Sequence, residues 1–175
     1  DVNALGFRAA KNNTGNGVNA IGADVGSGNT GNYLTASGYR AAINNGGNYV
    51  NATGYRAAEG NTGNFVNASG YQAAFSNDGN VVTGIGTAAA RNNQGNSVFA
   101  VGDFACEGNL GDNVIGIGNS AAKNNLVTGN FAVAIGVSAG RSNAGTSGNF
   151  IGQAAGYQNN ADNVNAMGTD AAYGN

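Results

Sequence analysis

Small apolar residues, glycine and asparagine recur along this chain at one fixed interval. The run GYRAAEGNTGNFVNAS (Gly54–Ser69) is preceded sixteen residues earlier by GYRAAINNGGNYVNAT and followed sixteen later by GYQAAFSNDGNVVTGI. Glycine opens the unit at residues 6, 22, 38, 54, 70, 86, 102, 118, 136, 152 and 168; every step is sixteen except 118 to 136, which is eighteen. A short fixed period predicts a repeat architecture in which each unit packs on its neighbours.

With the opening glycine as place one, places twelve to sixteen alternate with the period of a strand, as in Phe65-Val66-Asn67-Ala68-Ser69. Val66 and Ala68 are expected inside, Asn67 and Ser69 outside. Place thirteen is mostly Val, and place four is Ala in every unit but one, where Val25 stands. A second short strand is expected to carry the place-four alanine. Glycine at place one and Gly-Asn at places ten and eleven are expected to turn the chain, because Gly accepts positive φ and Asn tolerates it. No Pro occurs, in keeping with backbone N–H groups that bond to adjacent coils.

The fold predicted is all-β: one parallel β-solenoid domain spanning 1–175, of about eleven sixteen-residue coils. At about 4.8 Å per coil it makes a rod roughly 50 Å long. The interior of so small a coil is expected to hold Ala and Val but not stacked Leu or Phe. The two extra residues near Leu126-Val127 are expected to bulge from a turn. The chain begins at place twelve and ends at place eight, which suggests a section of a longer protein or subunits stacking end to end through open strand edges.

Place eight is always Asn: Asn13, Asn29, Asn45, Asn61, Asn77, Asn93, Asn109, Asn125, Asn143, Asn159 and Asn175. These side chains are expected to stack as an inner ladder, bonding to one another or to turn carbonyls. A binding site would not recur in every coil, so the expected role is structural.

The outward places fourteen and sixteen change along the rod. Early coils carry polar pairs, Thr35/Ser37, Asn51/Thr53 and Asn67/Ser69. Later coils carry Phe99/Val101, Ile115/Ile117 and Val133/Ile135. Three successive apolar pairs make a patch that a lone monomer should not expose, and burial against identical subunits about a symmetry axis would cover it. The opposite in/out phase would make the same residues core. Place two supplies Tyr39, Tyr55 and Tyr71, with Arg40 and Arg56 beside the first two. Such a row could bind a sugar or another surface through π faces and cation–π contacts, or it could be an aromatic ladder that only ties adjacent coils.

Charge and composition narrow the function. The chain has 32 Gly, no His, no Trp, one Cys and a net charge of −2. Arg and Lys form no stripe, so nucleic acid is not an expected partner. No apolar run reaches the length of a membrane span, so this segment is not expected to insert into a bilayer. Cys106 occupies a small-residue place and the acids form no repeated cluster. No catalytic residue, metal ligand or cofactor site is therefore predicted. The sequons at Asn12, Asn51 and Asn67 arise from the repeated Asn and Ser/Thr places.

Three segments carry a resemblance: NSVFAVG (Asn96–Gly102), IGIGNSAA (Ile115–Ala122) and AVAIGVSA (Ala132–Ala139). They resemble the N-S-V-A-I-G-x-x-A-x-A repeats of YadA-like heads of trimeric autotransporter adhesins. AARNNQGNSV (Ala89–Val98) is similar to repeats in phage tail-fibre proteins. The resemblance implies a left-handed parallel β-roll assembled as a parallel homotrimer. It places Val101, Ile117 and Ile135 at or near the trimer contact, and by position Ile21, Ile85, Ile151 and Met167 as well. Ser37, Thr53 and Ser69 depart from the family's Ile, and the sixteen-residue unit is longer than is usual in bacterial heads.

The expected function is an extracellular attachment module on a cell surface or virion fibre, holding an unidentified glycan or protein partner. Two other readings stand beside it. One is a self-assembling extracellular filament subunit. The other is an ice-binding solenoid, in which the small polar groups at Thr35, Ser37, Asn51, Thr53, Asn67 and Ser69 order water.

Overall fold

The computed structural model describes residues 1–126 and 131–175. Where inward Val and Ala alternate with outward residues, the chain extends once per coil into a short strand, of four residues in β1 to β10 and three in β11. The strands are β1 (Val2–Leu5), β2 (Val18–Ile21), β3 (Leu34–Ser37), β4 (Val50–Thr53), β5 (Val66–Ser69), β6 (Val82–Ile85), β7 (Val98–Val101), β8 (Val114–Ile117), β9 (Ala132–Ile135), β10 (Gly148–Ile151) and β11 (Asn165–Met167). They form one parallel sheet in chain order. Val50 pairs with Val66, and Ala52 with Ala68, sixteen residues on. Between β8 and β9 the offset is eighteen, Val114 pairing with Ala132. The sheet thus continues through the step of eighteen; the bulge expected near Leu126-Val127 falls at 127–130, outside the described residues. The result is a β-solenoid of about ten turns with no helix among the described residues.

A second strand in each coil, expected at the place-four alanine, does not form. Places one to eight instead make three linked β-turns. In the first coil Ala9 N–H donates to Gly6 O, Lys11 N–H to Arg8 O and Asn13 N–H to Ala10 O, at 3.3, 3.2 and 3.1 Å. The third residue of each turn, Arg8, Ala10 and Asn12, has φ near +54°, +51° and +56°. A non-glycine residue in that region costs about 1–2 kcal/mol. Bonding between coils offsets it, since these units turn alternate N–H groups up and down the rod. Arg56 N–H donates back to Tyr39 O at 3.0 Å, and Ala58 N–H forward to Ala73 O at 2.9 Å. The turns also bring two consecutive residues inward, so Ala57 and Ala58 are both buried.

The core is a column of Val at place thirteen, Ala at fifteen and small residues at four and five. Its width is narrow but not uniform. Phe150 is fully buried at a place that is otherwise Ala or Gly. Gly140, Gly148 and Gly156 surround it, and a Cβ on any of them would run into its ring. This exchange of volume lets a single Phe enter a core that was expected to exclude only stacked Leu or Phe, and its neighbours at the same place are Ala134 and Ala166. Cys106 is accommodated in the same way beside Gly116.

Two glycine ranks hold the coils together for different reasons. Gly54 has φ +130°, and a Cβ there would overlap the Gly70 carbonyl of the next coil. Gly63, at place ten, lacks a positive φ, but its Cβ would overlap the Gly79 carbonyl and press on the Asn77 amide. Place ten was expected to be Gly because the backbone needs positive φ; close approach of the next coil is the observed reason.

Candidate functional site

The place-eight asparagines line the inside of the turn. From Asn29 to Asn109, and again at Asn143 and Asn159, Nδ2 donates twice, to the Oδ1 of the preceding coil's Asn and to the carbonyl two residues on. For Asn61 these bonds run to Asn45 and Gly63, both at 2.8 Å, while its Oδ1 accepts from Asn77 at 2.8 Å. The ladder runs from Asn13 through Asn29, Asn45, Asn61, Asn77, Asn93, Asn109 and Asn125. It crosses the step of eighteen to Asn143 at 3.1 Å and continues to Asn159. All members from Asn29 onward are buried. Their amide valences are used up internally, so the ladder offers nothing to a ligand.

A second ladder escaped the sequence reading. At place eleven the backbone N–H of Asn32 donates to Asn48 Oδ1, that of Asn48 to Asn64 Oδ1 and that of Asn64 to Asn80 Oδ1, each at 2.9 Å. It ends where Asn96 N–H meets Asp112 Oδ1 at 2.7 Å. The signal was present as Asn in six successive coils. It read as turn chemistry because a side chain that caps the preceding coil's N–H has no local sequence signature.

The strand face carries the candidate functional residues. Along β7 to β9, Phe99, Ile115, Ile117 and Ile135 lie on the outer side of the sheet, 42%, 38%, 36% and 38% exposed, with Val101 and Val133 half-buried among them. The alternative phase, in which these residues form the core, is excluded. Ile115, Phe131 and Val133 line a partly open depression of about 390 Å³, together with Ser97, Asn113, Ser147 and Asn149.

Along β3 to β5 the face is different. Thr35, Asn51 and Asn67 form one exposed rank; Ser37, Thr53 and Ser69 form the next, with Ser69 half-buried. Two aromatic ladders border them. Tyr39, Tyr55 and Tyr71 follow the strands, with centroid distances of 5.5 and 5.0 Å. Tyr33, Tyr49 and Phe65 precede them, at 4.8 and 5.0 Å. The second ladder was not singled out from the sequence, although Tyr-Tyr-Phe at place twelve was its signal. Stacking turns the ring faces toward one another, so edges and phenol hydroxyls meet solvent. A sugar therefore finds no free π face along the middle of either ladder.

Arg40 and Arg56 do not join the tyrosines. Glu59 engages both, through Arg40 at 3.1 Å and Arg56 at 2.7 Å, and Arg56 lies 4.8 Å from the Phe75 ring centroid. A second group gathers at Glu107, which meets Lys123 at 2.7 Å and Arg91; Lys123 also sits 4.9 Å from the Phe104 centroid. Burial pushes the Glu107 carboxyl up, but hydrogen bonds from Lys123 and Arg91 outweigh it and hold the group below the usual carboxylate range. Burial pushes the Cys106 thiol up to about 12, tempered by a hydrogen bond with the Gly116 backbone. Such a thiol carries almost no thiolate near neutral pH and is a poor nucleophile. Among the described residues, no three of His, Cys, Asp or Glu gather into a possible metal site, and no helix is long and apolar enough to cross a membrane.

Comparison with known protein families, characterised proteins and solved structures finds no match to this chain.

Proposed function

We propose that this chain is a rod-like module of an extracellular attachment fibre, carried on a cell surface or a virion, that holds a recognition face away from its anchor. Its role in this reading is binding, not catalysis. The observation that carries it is the band of apolar side chains left outside on β7 to β9, on a scaffold whose own core is complete without them. A rigid solenoid with an unused apolar band is suited to lateral association with copies of itself.

The finer form of the proposal is a left-handed β-roll assembled as a parallel homotrimer, with Val101, Ile117 and Ile135 nearest the contact. Sedimentation equilibrium tests it. A trimer is expected for the native chain, and monomers for the Ile117→Asp, Ile135→Asp double variant, with unchanged far-ultraviolet circular dichroism. A native chain that sediments as a monomer at working concentration overturns the trimer; polydisperse high-mass species favour end-to-end filaments.

A second reading, ice binding, rests on the exposed polar ranks of β3 to β5. The array spans three coils and is bordered by rings, which argues for a small recognition surface over an extended lattice. Thermal hysteresis with ice shaping would favour this reading; neither at high protein concentration removes it.

A further inference from the structure

We propose that the strand face of β3 to β5 binds a neutral, linear polysaccharide lying along the rod. The proposal rests on the attachment reading above and names the class of its ligand.

Three changes in the repeat coincide in these coils and nowhere else. Place sixteen is Leu, Ile, Val or Met in the other eight strands, but Ser37, Thr53 and Ser69 here. The preceding and following outward places become aromatic together in the same three coils, giving the two stacked ladders. Five of the chain's seven tyrosines are in them. The coil itself needs none of these changes, because the neighbouring coils fold on the same core without them. A bounded patch with its own composition on an otherwise uniform scaffold marks a surface used for contact.

The chemistry of the patch selects the partner. Tyrosine beside Ser, Thr and Asn is the composition of adaptable, hydrogen-bonding recognition surfaces. No ionisable carboxylate, guanidinium or ammonium belongs to its four ranks, so it has no complement for an acidic polymer or for nucleic acid. It also lacks the deep apolar pocket that anchors a protein hot spot. Hydrogen-bonding capacity, by contrast, is largely unspent. Among the described residues the one side-chain bond across the patch is Asn51 Nδ2 to Asn67 Oδ1, at a long 3.4 Å. Phenol, hydroxyl and amide groups are thus free for a ligand rich in hydroxyls. They repeat at the coil spacing of about 4.8 Å, close to the length of one pyranose unit, so successive sugars would meet equivalent groups. Because the ring faces are stacked on one another, recognition runs through phenol hydroxyls and ring edges. The stacking also fixes the rings before binding, which lowers the ordering cost.

Affinity electrophoresis of the full chain tests this in gels carrying a neutral linear glucan, mannan, xylan or galactan, with alginate as the acidic polymer and a gelatin-coated surface as the protein. Retardation by at least one neutral polymer is expected, and little change with salt, since a charge-driven contact would weaken as screening increases. The triple variant Tyr39→Phe, Tyr55→Phe, Tyr71→Phe keeps the ladder and removes three phenols; it should bind about tenfold more weakly or worse. Ser37→Ile, Thr53→Ile, Ser69→Ile restores the residue of the other coils and should abolish retardation while the fold persists. Leu5→Ser, exposed and outside the patch, should leave it unchanged. Binding that survives both triple variants, preference for alginate, or retardation by no neutral polymer overturns the inference. Adhesion to gelatin without glycan binding would leave the attachment reading standing; adhesion to nothing in the panel would remove both.

Discussion

At the scale of single residues, asparagine and glycine carry this structure for reasons of satisfaction and space. Asn61 donates to Asn45 and Gly63 and accepts from Asn77, at a fully buried position. Asn61→Ala would strand two acceptors and one donor in a dry interior, where each unmade bond costs about 1–3 kcal/mol. A loss of about 3–5 kcal/mol is expected from urea denaturation, with the slope unchanged. Glycine gives a sharper contrast. Gly63→Ala places a methyl into the Gly79 carbonyl and should prevent native packing of that coil. Gly46→Ala, one place earlier in its own coil, meets nothing nearer than 3.8 Å, so its melting temperature should stay within a few degrees of the parent's.

At the scale of the element, one strand and three turns replace the two strands expected of a coil. The four-residue strand was legible because Val-x-Ala-x has a period of two. The turn run was not, since its Ala-Ala pair faces inward only when left- and right-handed residues alternate. No propensity scale predicts Ala58 at φ +51°. The packing of β10 makes the same point for volume. Phe150 fits because three glycines around it, none adjacent to it in sequence, leave room. Phe150→Ala should open a cavity with no side chain near enough to fill it, costing about 3–5 kcal/mol by chemical denaturation. Adding Gly148→Ala or Gly156→Ala to that variant should recover part of the loss, whereas either alone in the native chain should be destabilising.

At the scale of the whole molecule, every strand pairs only with the coils before and after it. Stability is then close to a sum of coil and interface contributions. The ion pairs on the turn side tie adjacent coils in the same way, Glu107 linking Arg91 and Lys123 on either side. Its folded pKa lies below the unfolded one. The stabilisation is therefore fully present above the unfolded value, about 4.3, and is lost as pH falls through the folded value. The urea midpoint should hold down to about pH 5 and decline below it. Glu107→Gln should flatten part of that acid limb while lowering the midpoint at neutral pH; an identical acid limb in the variant would show that other carboxylates account for it.

The period of sixteen, the strand, its inward Val and Ala and the continuous asparagine rank follow from sequence alone, because stacking repeats the same local demand in every coil. The tertiary structure decided what depends on contacts between coils: that places four and five turn where a strand was expected, that place-ten glycine answers to the carbonyl of the next coil, and that place-eleven asparagine caps the preceding coil's backbone. It also decided that the tyrosine faces are occupied by one another and that Arg40 and Arg56 belong to Glu59. A one-dimensional pattern records which residue recurs, but a side chain in a solenoid meets its partners sixteen residues away, and only the stacked coils show which atoms are already used.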